Sequence, residues 1–175
     1  PRSTLFPYTT FCRSTAEYFS KYKFNKCKKA DAGYYRKVYK EGILYFVKDY
    51  YLDSSSLQMS GAFSDDSLKI QEGFFYWYYS NKHLQSKGRF VHGKKMGIWK
   101  SYSEDDRLID STYYLNDFPY ISARRWDPES NLVFKGDYDK EGKGSGVEIE
   151  YYPDGKIASY GKRSAGHMRD SIWTF

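Results

Sequence analysis

Apolar and polar side chains alternate along most of this chain, and the alternating runs come in pairs. The runs GFFYWY (73–78), GIWKSY (97–102), ISARRW (121–126) and GVEIEY (146–151) each close on a large ring: Tyr78, Tyr102, Trp126 and Tyr151. An earlier, looser run, YFVKDYY, closes on Tyr51, so the closing rings are 27, 24, 24 and 25 residues apart. Ten residues after each ring stands Gly61, Gly88, Thr112, Gly136 or Gly161. The first four of these are followed two residues later by Phe63, Phe90, Tyr114 and Tyr138, with Arg163 in the fifth place. Self-similarity at a fixed period marks a repeat architecture. Between each closing ring and its second mark lies a polar turn (LDSSS, SNKH, SEDDR, DPESN, PDGK), then a run that begins with Leu or Ile. Period-2 runs separated by such turns read as consecutive β-hairpins.

The expected fold is therefore all-β: an elongated single meander sheet of tandem hairpins, with a short helix expected near the N-terminus. In the closing runs, Tyr78, Tyr102, Trp126 and Tyr151 fall on one face, where stacked rings form a ladder. Each such ring has on the order of 150–250 Å² to bury, about 4–6 kcal/mol of gross transfer energy. The other face, with Phe75, Trp77, Trp99 and Arg125, is less regular, as a recognition surface would be. Gly93 is expected to supply a positive φ in a tight turn. Gly97, at the start of a strand, is expected to let the backbone pass close to a ring.

Composition adds order and a mild charge. The 175 residues include 20 Tyr, 12 Phe and 4 Trp, an aromatic content that disordered chains lack. The net charge is +6, which permits an anionic partner without naming one. No run reaches the roughly 18 apolar residues of a membrane-spanning helix. Residues 1–14, PRSTLFPYTTFCRS, share no pattern with the rest and resemble the translation of a sequencing adapter; they are expected to be non-native. Residues 15–33 read as a lead-in and 34–175 as the repeat array, which stops at Phe175 short of its next closing ring and is expected to be cut there. With Cys12 in the first segment, Cys27 stands alone and is expected to be inert.

Phe90, Gly93, Gly97, Trp99 and Tyr102 follow the spacing YxxGxxxGxWxxY, with Phe in the first place. This resembles the MORN repeat, and more closely its bacterial YwqK-like variant, some members of which are labelled antitoxin-like. The resemblance spans roughly residues 30–175. The next copy departs from it, with Asp117 and Ile121 where the glycines belong; the one after has Gly142 and Gly146 but Glu148 in place of Trp; the last has Gly166 and Trp173. The resemblance implies a sheet of hairpins that binds or spaces other domains, with no chemistry in the repeats. The residues expected to carry the repeat are Gly61, Tyr78, Gly88, Phe90, Gly93, Gly97, Trp99, Tyr102, Trp126, Gly136, Tyr138, Tyr151, Gly161 and Trp173.

No catalytic or metal constellation stands out. His83, His92 and His167 lie in separate turns, and no phosphate loop, nucleophile elbow or dinucleotide fingerprint occurs. SEDDR lacks calcium-loop spacing, and Glu148 with Glu150 is read as part of a strand rather than a hydrolytic pair. Neither a cofactor nor a small-molecule substrate is expected. KYKFNKCKK (21–29), HGKK (92–95), Arg124–Arg125 and Lys162–Arg163 offer a basic stripe for anionic lipid or single-stranded nucleic acid. Lysines guarding turns and sheet edges are the favoured reading of the same residues. Trp77, Trp99, Arg125 and Trp173 are the candidate binding residues. The expected function is a non-enzymatic protein-interaction or scaffold module of a bacterial protein, with the periplasm or envelope favoured over the cytoplasm. Alternatives are an antitoxin-like partner of a toxin, a surface for anionic lipid or nucleic acid, and an accessory domain of a larger enzyme.

Overall fold

The structure is a computed structural model that describes residues 16–20 and 25–164. Twelve strands follow one another: β1 (Glu17–Ser20), β2 (Ala32–Glu41), β3 (Leu44–Tyr51), β4 (Leu57–Phe63), β5 (Gln71–Tyr78), β6 (Leu84–Val91), β7 (Lys94–Tyr102), β8 (Leu108–Leu115), β9 (Phe118–Trp126), β10 (Leu132–Tyr138), β11 (Gly146–Tyr151) and β12 (Ile157–Arg163). They form one antiparallel sheet whose spatial order is the sequence order, the all-β meander that the alternation predicts. The helix expected near the N-terminus is a single 3-10 turn, Lys29–Asp31. The lead-in contributes β1, which pairs with β2 through Glu17 and Arg36. Trp173, Gly166, His167 and Cys12 lie outside the described residues.

The repeat is visible in the backbone. Each polar turn holds one left-handed residue at the same place: Ser55, Lys82, Asp106, Ser130 and Gly155, with φ from 54° to 81°. Only the last is glycine, so turn geometry recurs where turn sequence does not. After each turn the register slips by one, so that Tyr50 pairs with Leu57, Tyr78 with Leu84, Tyr102 with Leu108, Trp126 with Leu132 and Tyr151 with Ile157. The first closing ring is thus Tyr50 rather than Tyr51, because the first turn carries one extra residue. Tyr51 takes the place of Tyr79 instead. Its hydroxyl donates to the Tyr78 carbonyl at 2.8 Å, and the Tyr79 hydroxyl donates to the Tyr102 carbonyl at 2.9 Å.

The closing rings do share one face at matching register, but most of the burial lies on the other face. There, one column reads Val47, Phe75, Trp99, Ala123 and Glu148, paired with or beside Gly61, Gly88, Thr112, Gly136 and Gly161. Glycine is what makes this face the core. Without a side chain at Gly61 the Phe75 ring lies across the backbone, and Trp99 lies likewise across Gly88. The next residues on that face, Phe63, Phe90 and Tyr114, meet those rings edge-on. The resulting chain Phe63–Phe75–Phe90–Trp99–Tyr114 has centroids 5.3, 5.1, 4.8 and 6.4 Å apart and interplanar angles of 78–86°, the edge-to-face geometry rings prefer. The closing rings, flanked by Leu or Ile instead of glycine, stay half-buried.

The packing changes chemistry after β8. Ala123 takes the place of the ring in the column, and Arg125 lies over the next ring, its guanidinium 4.1 Å above Phe134. Glu148, only 4 % exposed in the column's ring position, accepts the Tyr138 hydroxyl at 2.8 Å and pairs with Arg163 at 2.8 Å. At the other end Arg36 clamps the buried Asp49 with two bonds of 2.7 Å.

Candidate functional site

A single sheet has two faces, and the sequence loads them differently. We call the Phe75–Trp99 side the core face and the opposite side the open face. On the open face, four positions before each closing ring, stand Phe46, Phe74, Ile98, Ser122 and Val147. Phe74, Ile98 and Val147 are 62, 56 and 40 % exposed, large apolar side chains left in solvent at one recurrent position.

The neighbouring row of the open face is basic. Register links run without a break through Lys37, Lys48, Ser60, Tyr76, Lys87, Lys100, Ser111, Arg124, Lys135, Ile149 and Tyr160. Lys37 stands directly opposite Lys48, Lys87 opposite Lys100, and Arg124 opposite Lys135. Arg124 and Lys135 share Asp137, at 2.7 and 2.9 Å. Partial burial works against ionisation there, yet hydrogen bonds from Lys135 and Arg124 hold the Asp137 carboxyl below the usual carboxylate range. Lys37 lies 5.8 and 5.3 Å from the centroids of the stacked rings Tyr35 and Tyr50. Arg89 faces the same way, opposite Phe74. A third row holds the closing rings. Burial is the main reason that the Tyr50 and Tyr78 phenols titrate above their ordinary value, helped by Tyr35 and Tyr39 in the first case and Tyr76 in the second.

Asp49, Asp110, Glu148 and Glu150 lie on the core face, while Glu41, Glu72 and Asp137 lie on the open one. Burial pushes the Asp110 carboxyl up, against a hydrogen bond from Thr112 and the charge of Arg125. Glu148 and Glu150 are both engaged, Glu150 accepting the Ser159 hydroxyl at 2.7 Å.

The repeat residues occupy three kinds of place. Gly61, Gly88, Phe90, Trp99, Gly136, Tyr138 and Gly161 build the core face; Tyr78, Tyr102, Trp126 and Tyr151 line the open one. Gly93 has φ +77° in the β6–β7 turn, as expected, beside His92 at +49°. Gly97 differs from expectation. No atom lies within 4 Å of the position its Cβ would take, and its φ is +72°. It serves backbone conformation at a bulge; the close approaches belong to Gly61 and Gly88. Of the candidate binding residues, Trp99 is 8 % exposed inside the core cluster and Arg125 covers Phe134. Trp77 is half-buried at the rim of a core-face groove with Phe90, Trp99 and Ser101. Arg124 and Arg125 point to opposite faces, and of HGKK only His92 and Gly93 form the turn while Lys95 of β7 lies over the Trp99 and Tyr114 rings, so among the described residues the basic stripe is composed differently from the expected one. Lys87 and Lys135 were legible only by aligning the repeats: the residue before each second mark reads Ser, Lys, Ser, Lys, Tyr.

Compared with known proteins, the chain matches no family model and no curated sequence.

Proposed function

We propose that this chain is a non-enzymatic repeat module whose open face is a binding surface for a macromolecular partner, another protein in the first instance. The observation that carries this reading is the recurrent exposure of Phe74, Ile98 and Val147 at one position of the open face. Large apolar groups clustered in solvent, rimmed by charge, mark interaction surfaces. Twelve hydrogen-bonded strands hold them at fixed spacing, which keeps the ordering cost of binding low.

The test is recovery of partners from cells of the chain's own source, using the tagged full chain and its Phe74→Arg/Ile98→Arg variant. A partner held at fixed stoichiometry by the natural chain and lost from the equally stable variant supports the reading. Recovery of the same proteins by both, or of none by either, overturns it.

A further inference from the structure

The charge pattern of the open face points to a second class of partner beside protein, an inference that rests on reading that face as a binding surface. We infer that β5–β7 form a platform for single-stranded nucleic acid, with bases over Phe74 and Tyr76 and phosphates over Lys87, Arg89 and Lys100. Two ring–cation pairs stand in register on adjacent strands: Phe74 opposite Arg89, and Tyr76 opposite Lys87. Phe74 and Tyr76 have centroids 6.4 Å apart, so β5 offers successive π-faces along its length. Lys100 extends the cations to β7, one strand spacing of about 4.8 Å away. Rings beside a cationic track are what sequence-tolerant binding of single strands requires.

Stability does not account for this arrangement. Like charges directly opposed across a sheet are destabilising, yet Lys37–Lys48 and Lys87–Lys100 are both such pairs. Among the described residues no carboxylate lies within ion-pair distance of Lys48, Lys87, Arg89 or Lys100. Three carboxylates do share that face, but Glu41 ends β2 opposite Leu44, Asp137 is held by Arg124 and Lys135, and Glu72 takes the backbone N–H of His92 at 2.9 Å. A row of uncompensated cations is stabilised by a polyanion laid along it. The rings in and beside the row favour a ligand with flat bases over one that offers charge alone.

The experiment uses the full chain and fluorescently labelled oligo-dT and oligo-U of about 20 nucleotides, read by anisotropy between roughly 50 and 200 mM salt. Each phosphate contact contributes about −0.7 to the slope of log K against log salt for a single strand. Lys87→Gln/Lys100→Gln is expected to flatten the slope by about 1.4. Phe74→Ala is expected to weaken binding roughly 5- to 150-fold with the slope unchanged, a split that general destabilisation does not produce. Lys143→Gln/Lys156→Gln, in turns, serves as the charge-matched control. The inference is overturned if neither oligonucleotide binds at the lowest salt, or if the control pair loses as much as the Lys87/Lys100 pair. It is overturned equally if phosphatidylserine vesicles bind while oligonucleotides do not, or if only a protein partner depends on Phe74. That last outcome would leave the open face standing as a binding surface.

Discussion

The indole of Trp99 lies across the bare backbone of Gly88, so closely that a Cβ built there would sit 2.1 Å from the ring. The pair belongs to adjacent strands, and its counterpart one hairpin earlier is Phe75 over Gly61, at 2.3 Å. Gly88→Ala is expected to destabilise the fold by about 1–3 kcal/mol, the usual cost of overpacking. Trp99→Leu in the same chain should recover part of that loss, because it removes the atoms in conflict. A double-mutant cycle by urea unfolding isolates the coupling, and purely additive effects would contradict it.

Ile121 occupies the left-handed region, φ +63°, at the place where Gly97 has φ +72° one hairpin earlier. Asp117, at +72°, likewise stands where Gly93 has +77°. The repeat thus keeps its backbone after losing its glycines, and a β-branched residue there carries strain of about 1–3 kcal/mol. Ile121→Gly relieves it, against an unfolded-state entropy cost of about 0.5–1 kcal/mol. A net gain of about 1 kcal/mol is expected. Gly97→Ile should lose about 1–3 kcal/mol. Chemical denaturation of both variants decides the matter: a loss in Ile121→Gly would show that the conformation carries no strain.

Asp49 is 1 % exposed and is neutralised from the neighbouring strand by Arg36, whose guanidinium also lies 4.8 Å from the Phe19 ring centroid. Arg36→Met keeps most of the side-chain volume but strands a buried carboxylate. The expected cost is about 3–5 kcal/mol. Replacing Asp49 with Leu in the Arg36→Met background should return most of it, since a well-packed apolar pair substitutes for a buried ion pair at little cost. An Arg36→Met variant as stable as the natural chain would show that water reaches Asp49.

These positions also show what reading the sequence reaches. The hairpin order was legible, because closing rings such as Tyr78 and Tyr102 recur with second marks such as Gly88 at a fixed offset. The core face was not, because both faces carry rings in alternation and nothing local distinguishes Phe75 from Tyr76. What decides it is a relation between strands: a ring needs a glycine beside it, and the glycine that accommodates Trp99 is Gly88, 11 positions earlier on the previous strand. The shift of the first closing ring from Tyr51 to Tyr50 was hidden for a similar reason. One extra turn residue moves every side chain after it to the other face. The cation row escaped notice because its members are scattered singly, as Lys48, Lys87 and Lys100, and become neighbours only through register.

The tyrosines predict how the fold responds to alkali. Burial, hydrogen bonding to Glu148 and the charge of Glu148 together push the Tyr138 phenol well above its ordinary value. Burial likewise raises Tyr114, with Asp110 adding to it, and raises Tyr51, with Tyr34 and Asp53 adding to it. Tyr50 and Tyr78 are raised chiefly by burial as well. In each case the native state keeps a proton that the unfolded chain releases near pH 10. Above that pH the unfolded state binds fewer protons than the native one, so stability falls as pH rises; below it the contribution is fully present. The urea midpoint is expected to hold steady up to about pH 9 and to drop progressively beyond about pH 10, with tyrosinate absorbance appearing together with unfolding. Tyr138→Phe is expected to shallow the drop, because the phenol held most strongly in its neutral form is gone. It should also lower stability near neutral pH by about 1–3 kcal/mol, since the buried Glu148 loses its hydroxyl donor. Tyrosinate forming near pH 10 in a chain that remains folded would show that these phenols are open to solvent.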